Sequence, residues 1–359
     1  MKILVVTPRM PYPAPGADEQ DRLEGIRLLI ELGHTVIVIT KVAHYQTEAE
    51  REAFSKHINA RVRSVPYRER TFQLRRLVDP RFLDGAAFEY EDPTLQEAFD
   101  EEMKGFKPDV VWLDASFSWP LIQRAHAHSV RVIVRSLQIE SQHILDDEGR
   151  SIGNYVRYWA KSMGERVVAT EADTVVAINK NEEVLYRAMG SQQTTTIPLR
   201  NLPSILELPS IPYSDRRPLR VLFSGSTFSV QHNRDGARHV LSEIAPELER
   251  RVPNEFTIHV TGKKLPEEIL KTLPPNVVYE GYVKDYSTFL GTMDIAITSH
   301  LGTVGMHGKL FEPVCRGIPT VTAPYALAGF PFVGGEHVLF GTSTKEVVDH
   351  LLELRDRVL

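Results

Sequence analysis

Apolar residues come along this chain in short unbroken runs, separated by stripes at helical spacing. Residues 3–6, and 36–39 within the stretch 34–40, are apolar at every position rather than at alternate ones, the pattern of parallel strands covered on both faces. Between them Leu23, Ile26, Leu29 and Ile30 share one helical face, with Asp18 placed as N-cap and Gly33 as the stop. This predicts a β-α-β unit. Its first loop, with Pro8, Pro11, Pro13, Pro15 and Gly16, can be neither helix nor strand. It overhangs the carboxyl end of the sheet, where α/β folds bind ligands. Further strands are predicted over 109–113, 130–134, 172–178 and 194–197, with one long helix over 141–170 and another ending at Gly190.

Residues 198–218 hold five prolines and little periodicity, and read as a linker. The rhythm then restarts. Strands are predicted over 219–224, 256–260, 277–279 and 294–298, with Gly225-Ser226-Thr227 as the turn after the first. A helix following Asn233 carries Ala237, Val240, Leu241 and Ile244, and a last helix covers 343–359. The expectation is an α/β protein with a domain over 1–200, a linker over 201–217 and a second domain over 218–359.

Length and charge narrow the function. A chain of 359 residues can bury two cores. Its net charge of −5 offers no electrostatic footprint for nucleic acid. The single cysteine, Cys315, excludes an intramolecular disulfide and fits a reducing cytosol; it reads as a small buried core residue. No apolar run reaches membrane-spanning length, and residues 3–6 are too short for a signal peptide, so a cytoplasmic protein is expected. There is no P-loop, no Gly-x-Ser-x-Gly elbow and no His-Glu-x-x-His. Only His126 and His128 are closely spaced, at i, i+2, and Asp146-Asp147-Glu148 reads as a polar loop, so no metal site is expected.

The strongest chemical pattern is Gly302-Thr-Val-Gly305-Met306-His307-Gly308-Lys309, directly after the predicted strand 294–298. Strand, glycine turn and helix start point backbone N–H groups and a helix dipole at an anion. Lys309 adds a positive charge, and Glu312 follows on the same face at i+3. A cation for phosphate beside a carboxylate for a sugar hydroxyl suits a nucleoside diphosphate. An ordinary surface Lys–Glu pair fits the same residues.

The run G-x-x-G-M-x-x-K-x-x-E-x-x-x-x-G-x-P-x-V resembles the donor segment of GT-B glycosyltransferases, in particular the family 4 group that builds cell-surface polysaccharides. The resemblance implies two Rossmann-like domains facing each other across a cleft. It puts Lys309 on the donor phosphates and Glu312 on the ribose. It implies a nucleotide-diphosphate sugar as co-substrate, no resident cofactor, and a glycan, lipid-linked or small-molecule acceptor. Gly305, Met306 and His307 belong to the same loop. Gly225 and Ser226 would flank the phosphates, with Gly262 nearby and Tyr282 near the nucleobase. Many members carry two glutamates separated by seven residues, and the first of that pair falls here on Val304. The lysine-centred loop implies retention of configuration. Pro8-Arg9-x-Pro11-Tyr12-Pro13-x-x-Gly16 is similar to the family's opening, which puts Gly16 at the cleft, although a purely structural proline loop fits as well.

After the strand 130–134 the family commonly has Arg-x-His-Asn-x-Glu. Here Arg135 and Glu140 remain, while Leu137 and Gln138 replace the middle pair. Asp114, Arg135 and Glu140 are therefore site candidates, the last two equally readable as a structural salt bridge. Residues 61–81 hold seven arginines among Phe72, Leu74, Leu77 and Val78. They read either as a solvated face or as a peripheral contact with the inner membrane face. The family's closing helix, which returns to the first domain, has no counterpart in 343–359. Two other readings stay open at this point: an inactive nucleotide-sugar or glycan binder, and a nucleotide-sugar epimerase of the same fold.

Overall fold

The computed structural model describes residues 1–14, 16–67, 78–214, 216–299 and 302–356. The chain forms two compact units, one of Met1–Leu145 with Arg150–Asn201, the other of Asp146–Gly149 with Leu202–Leu359. In the first unit the strands β1 (Lys2–Thr7), β2 (Thr35–Val42), β3 (Arg61–Pro66), β4 (Val110–Leu113), β5 (Arg131–Arg135), β6 (Thr174–Ala177) and β7 (Thr194–Thr196) form one sheet. Their order is β3-β2-β1-β4-β5-β6-β7. All pairs are parallel, and Ile3 of β1 lies opposite Val36 on one side and Val110 on the other. Leu4, Val5, Val38, Ile39, Val111 and Leu113 are buried, which is why these runs lack polar alternation.

The second unit repeats the plan. Strands β8 (Leu219–Thr227), β9 (Phe256–Lys263), β10 (Val277–Gly281), β11 (Ile295–Ile297), β12 (Thr320–Thr322) and β13 (Leu339–Phe340) lie in the order β10-β9-β8-β11-β12-β13. Its core packs Val221, Phe223, Ile258 and Val260 against Val240, Ile244 and Leu248. In each sheet the chain leaves the first strand to one side and later returns to the other, between β1 and β4 and between β8 and β11. Loops at such a switch point diverge and open a crevice at the strands' carboxyl ends. Those loops carry residues 8–14 and 114–115 in the first unit, and 228–230, 298–299 and 302–307 in the second.

Several local expectations are corrected. Gly225-Ser226-Thr227 is not a turn beyond the strand but its last part, where the pairing of β8 with β9 shifts register between Ser224 and Thr227. The single helix over 141–170 is two, Glu140–Glu148 and Ile152–Glu171. Gly149 breaks it at φ +82°, and the Ser151 side chain caps the second helix on Asn154 N. Asp146, Asp147 and Glu148 end the first of these helices rather than forming a loop. Asp18 is not the N-cap of Ala17–Glu31; Gly16 is, and Asp18 sits in the first turn, 2.8 Å from Arg22 Nη1. The helix expected after Asn233 starts earlier, at Gln231, so Asn233 falls in its buried first turn. A short helix, Leu202–Leu206, interrupts the linker, and the last helix is Thr344–Asp356. Cys315 is half-buried rather than in the core, and its partial burial raises its thiol pKa.

In the basic stretch, residues 68–77 lie outside the described residues. The described arginines meet carboxylates: Arg61 with Glu102, Arg63 with Glu101 at 2.7 Å and Arg81 with Asp79 at 2.7 Å. No helix among the described residues is long and apolar enough to cross a membrane.

Candidate functional site

Two groups of sequence-selected residues gather at the two switch points, and their electrostatics differ. In the second unit the helix Gly308–Cys315 starts straight after the glycine loop, with His307 as N-cap and no side chain capping its first amides. Gly305 adopts φ +80°, a conformation that favours glycine. Lys309 Nζ donates to Asn233 Oδ1 at 2.6 Å, and Asn233 Nδ2 donates to Thr227 O at 2.9 Å. Asn233 thus ties the end of β8 to the lysine through a neutral amide. No carboxylate among the described residues forms an ion pair with Lys309; Asp147 acts on it only from farther away. Burial consequently pulls the Lys309 pKa down to about 8. Burial and the Lys309 charge pull His307 down to about 4.

The loop's other edge is held by a carboxylate that sequence reading assigned to a plain loop. Asp146 Oδ2 accepts from Thr303 N at 2.7 Å and from Thr303 Oγ1 at 2.8 Å. Asp147 Oδ1 stands 3.1 Å from His232 Nδ1.

Gly225, Ser226 and Gly262 are brought together at the bulge. A Cβ on Gly225 would lie 2.1 Å from the Phe228 ring, and one on Gly262 would lie 3.2 Å from Ser226 N. Both positions therefore exclude a side chain. Tyr282 is exposed, with Lys263 Nζ 4.0 Å from its ring centroid. Met306 is half-buried beside Gly305. Glu312 is one turn beyond Lys309 as read, yet it meets a different partner: its Oε1 accepts from Arg316 Nη1 at 3.2 Å. The structure does not join Lys309 and Glu312 directly.

In the first unit Asp114, at the end of β4, is buried and accepts from Arg200 Nη2 and Trp112 Nε1, both at 3.1 Å. Arg200 Nη2 also reaches Asp21 Oδ2 at 2.6 Å, and Arg200 N donates to Asp21 Oδ1 at 2.7 Å. Arg135 is fully buried, 3.3 Å from Asp21, and donates to the carbonyls of Ala177, Ile197 and Pro198. Two arginines and two aspartates thus neutralise each other. Glu140 does not join Arg135; it lies 3.8 Å from Lys161 Nζ, which is 3.2 Å from Asp84. Each is in a salt bridge, but not with the other. Gly16 caps the helix Ala17–Glu31, where burial, with Asp18 beside it, lifts Glu19 to about 7.

The family descriptions decide between the readings. Residues 20–201, a little over half of the chain, match the Glycosyl transferase 4-like domain, and residues 218–356 match Glycosyl transferases group 1. The chain is a glycosyltransferase of this family.

The fold of this glycosyltransferase agrees with solved GT-B structures. HepE from Anabaena, in complex with UDP, is 14% identical, with TM-score 0.67 over 99% of this chain and 90% of that one. Sucrose-phosphate synthase from Thermosynechococcus elongatus is 13% identical, with TM-score 0.66 over 100% and 94%. TarM is 9% identical, with TM-score 0.70 over 99% and 92%. No curated protein matches the chain.

Sequence reading of the glycosyltransferase missed Asn233, Asp21 and Arg200 as partners of the selected residues, and Asp146 as the anchor of the loop. One signal was present. Asp21, Gly25 and Ile26 occupy the inward face of their helix, so an acid there needed a buried cation.

Proposed function

We propose that the glycosyltransferase takes its sugar from a nucleoside diphosphate held by the second unit and passes it to a hydroxyl of a glycan, lipid-linked or small-molecule acceptor. The observation that carries this is Lys309: a half-buried ammonium held by a neutral amide, beside uncapped helix amides, at a switch point. Burying a cation this way is unfavourable until an anion arrives. A diphosphate supplies that anion, and a sugar-bound diphosphate gains further charge as it leaves.

In the transfer step the bond between the anomeric carbon and the β-phosphate oxygen breaks, and that oxygen keeps the electron pair. Lys309 and the amides near Gly308 stabilise the developing charge. Met306 and His307 line the approach, Gly225 and Gly262 seat the Phe228 ring under the bulge that brings Ser226 to the phosphates, and Glu312 accepts from a ribose hydroxyl. Tyr282 sits by the base. The acceptor oxygen bonds to the anomeric carbon, and its proton passes to a carboxylate or to the departing phosphate. Glu140 is the acceptor-side carboxylate, with Asp114 held in the buried charge set by Arg200 and Gly16 giving the loop its close approach. Charge neutralisation by the protein makes the reaction independent of a metal ion, and the sugar keeps its anomeric configuration.

A thermal-shift screen against nucleotide sugars tests this. A donor at 100 times its Kd should add about 2.7 kcal/mol of stability. Silence across uridine, guanosine and thymidine sugars would remove the proposal. Proton NMR of the product anomer tests retention, and transfer lost in a chelator would refute metal independence.

A further inference from the structure

The inward face of helix Ile152–Glu171 is small or apolar at Ala160, Gly164, Val168 and Ala169, yet it also carries Lys161 and Glu165. Charges buried one turn apart on such a face need partners. Glu165 closes on the first turn of the preceding helix: its Oε1 accepts from Ser141 N at 3.0 Å and its Oε2 from Ser141 Oγ at 2.6 Å. Burial lifts it to about 7. Lys161 Nζ lies 3.2 Å from Asp84 Oδ1 and 3.8 Å from Glu140 Oε2, with the Phe117 ring 5.7 Å away. Burial opposes the charge on Lys161, but Glu140 and Asp84 outweigh it and raise its pKa. The two acids differ in access. The Asp84 side chain is 7% exposed and caps the helix Gly85–Phe88 on Ala86 N, whereas that of Glu140 is 20% exposed. Glu140 is the open member, and its second oxygen is held as well: Gln138 Nε2 donates to Oε1 at 3.3 Å.

We propose that Lys161 and Gln138 are positioning residues that aim Glu140 at the acceptor hydroxyl. The inference rests on the reading of Glu140 as the acceptor-side carboxylate. One of its oxygens faces a cation and the other accepts an amide hydrogen, which fixes the plane of the group and leaves further lone pairs for a hydroxyl. That hydroxyl gives its proton to Glu140 while its oxygen forms the new bond to the anomeric carbon. The β-phosphate oxygen departs with the electrons of the old bond. Protonated Glu140 no longer balances Lys161, but Asp84 still does. The buried ammonium therefore keeps a partner before and after the transfer, so the proton can move without stranding a charge.

Nucleoside diphosphate release from UDP-glucose, GDP-mannose and dTDP-glucose, with octyl glucoside as acceptor, reads the reaction. Glu140→Gln should lower kcat by a factor on the order of 10²–10⁴. Lys161→Met should lower it about tenfold and Gln138→Ala about threefold, with donor KM and nucleotide Kd unchanged. Lys161→Arg, which keeps the charge, should restore most of the loss. In the Glu140→Gln background neither Lys161→Met nor Gln138→Ala should cost anything further, because the three act as a unit. A lysine that serves the fold alone would lower the melting temperature and leave the kcat of folded protein untouched. Should Lys161→Met fail to fold, the half-buried Gln138 decides through the same cycle. Near-normal release by Glu140→Gln would remove the reading of Glu140 and this inference with it. A dead Glu140→Gln beside unchanged kcat in the other variants, or losses that simply multiply in the double variants, would overturn the inference alone.

Discussion

The two switch points hold similar residues in opposite electrical states. In the first unit Asp21, Asp114, Arg135 and Arg200 are buried and neutralise one another. In the second, Lys309 is held by an asparagine, with the nearest acid at a distance. A closed set of charges maintains a fold and needs no visitor. A half-buried cation facing a neutral amide lowers the stability of the empty protein and raises affinity for an anion. The difference teaches that selection by motif finds the neighbourhood, whereas the pairing tells which residues await a ligand.

The largest effect should come from breaking the closed set. Asp21→Ala leaves two arginines buried without their shared partner and should cost about 3–5 kcal/mol, read as a fall in the denaturant midpoint. A loss below 1 kcal/mol would mean that the set is not closed. Next comes Lys309→Ala, which should lower turnover by a factor on the order of 10²–10³ while the melting temperature holds or rises. If it unfolds the protein instead, Lys309 belongs with the structural charges.

Glu312→Ala should weaken nucleotide binding by about 1.5–3 kcal/mol, the worth of a hydrogen bond to a charged group. Calorimetry showing unchanged affinity would assign Glu312 to Arg316 alone.

The smallest effect is a pH dependence. Lys309 titrates at about 8 in the folded protein against 10.5 ordinarily, so between these values the unfolded chain holds more protons. The lysine's contribution to the stability of the empty protein therefore rises with pH through that window. A bound diphosphate restores the charged form, so nucleotide binding should take up a proton and weaken above pH 8. Titrations in buffers of different ionisation heat measure this uptake, and zero uptake would mean that the lysine is not at the phosphates.

Much of this was legible in the sequence. The strand positions followed from runs such as residues 3–6 and 34–40, because strands buried on both faces leave a one-dimensional signal. Lys309, Glu312 and the glycines could be read because the order of strand, turn and helix is also one-dimensional. What stayed hidden was pairing across the chain. Arg200 meets Asp21 across 179 positions, Lys309 meets Asn233 across 76, and Asp146 anchors Thr303 across 157. Local periodicity cannot report such contacts. Leu137 and Gln138 depart from the usual family pattern, and Arg135 beside them donates to carbonyls on β6 and after β7, which no spacing reveals.

The most direct test of the central claim is calorimetric titration of uridine and guanosine diphosphates into wild-type protein and Lys309→Ala, with a chelator present. The account predicts that at least one nucleotide binds the wild type without metal and that its affinity drops at least tenfold in the variant. Equal affinity in the two proteins, or binding that appears only after a divalent cation is added, would contradict it.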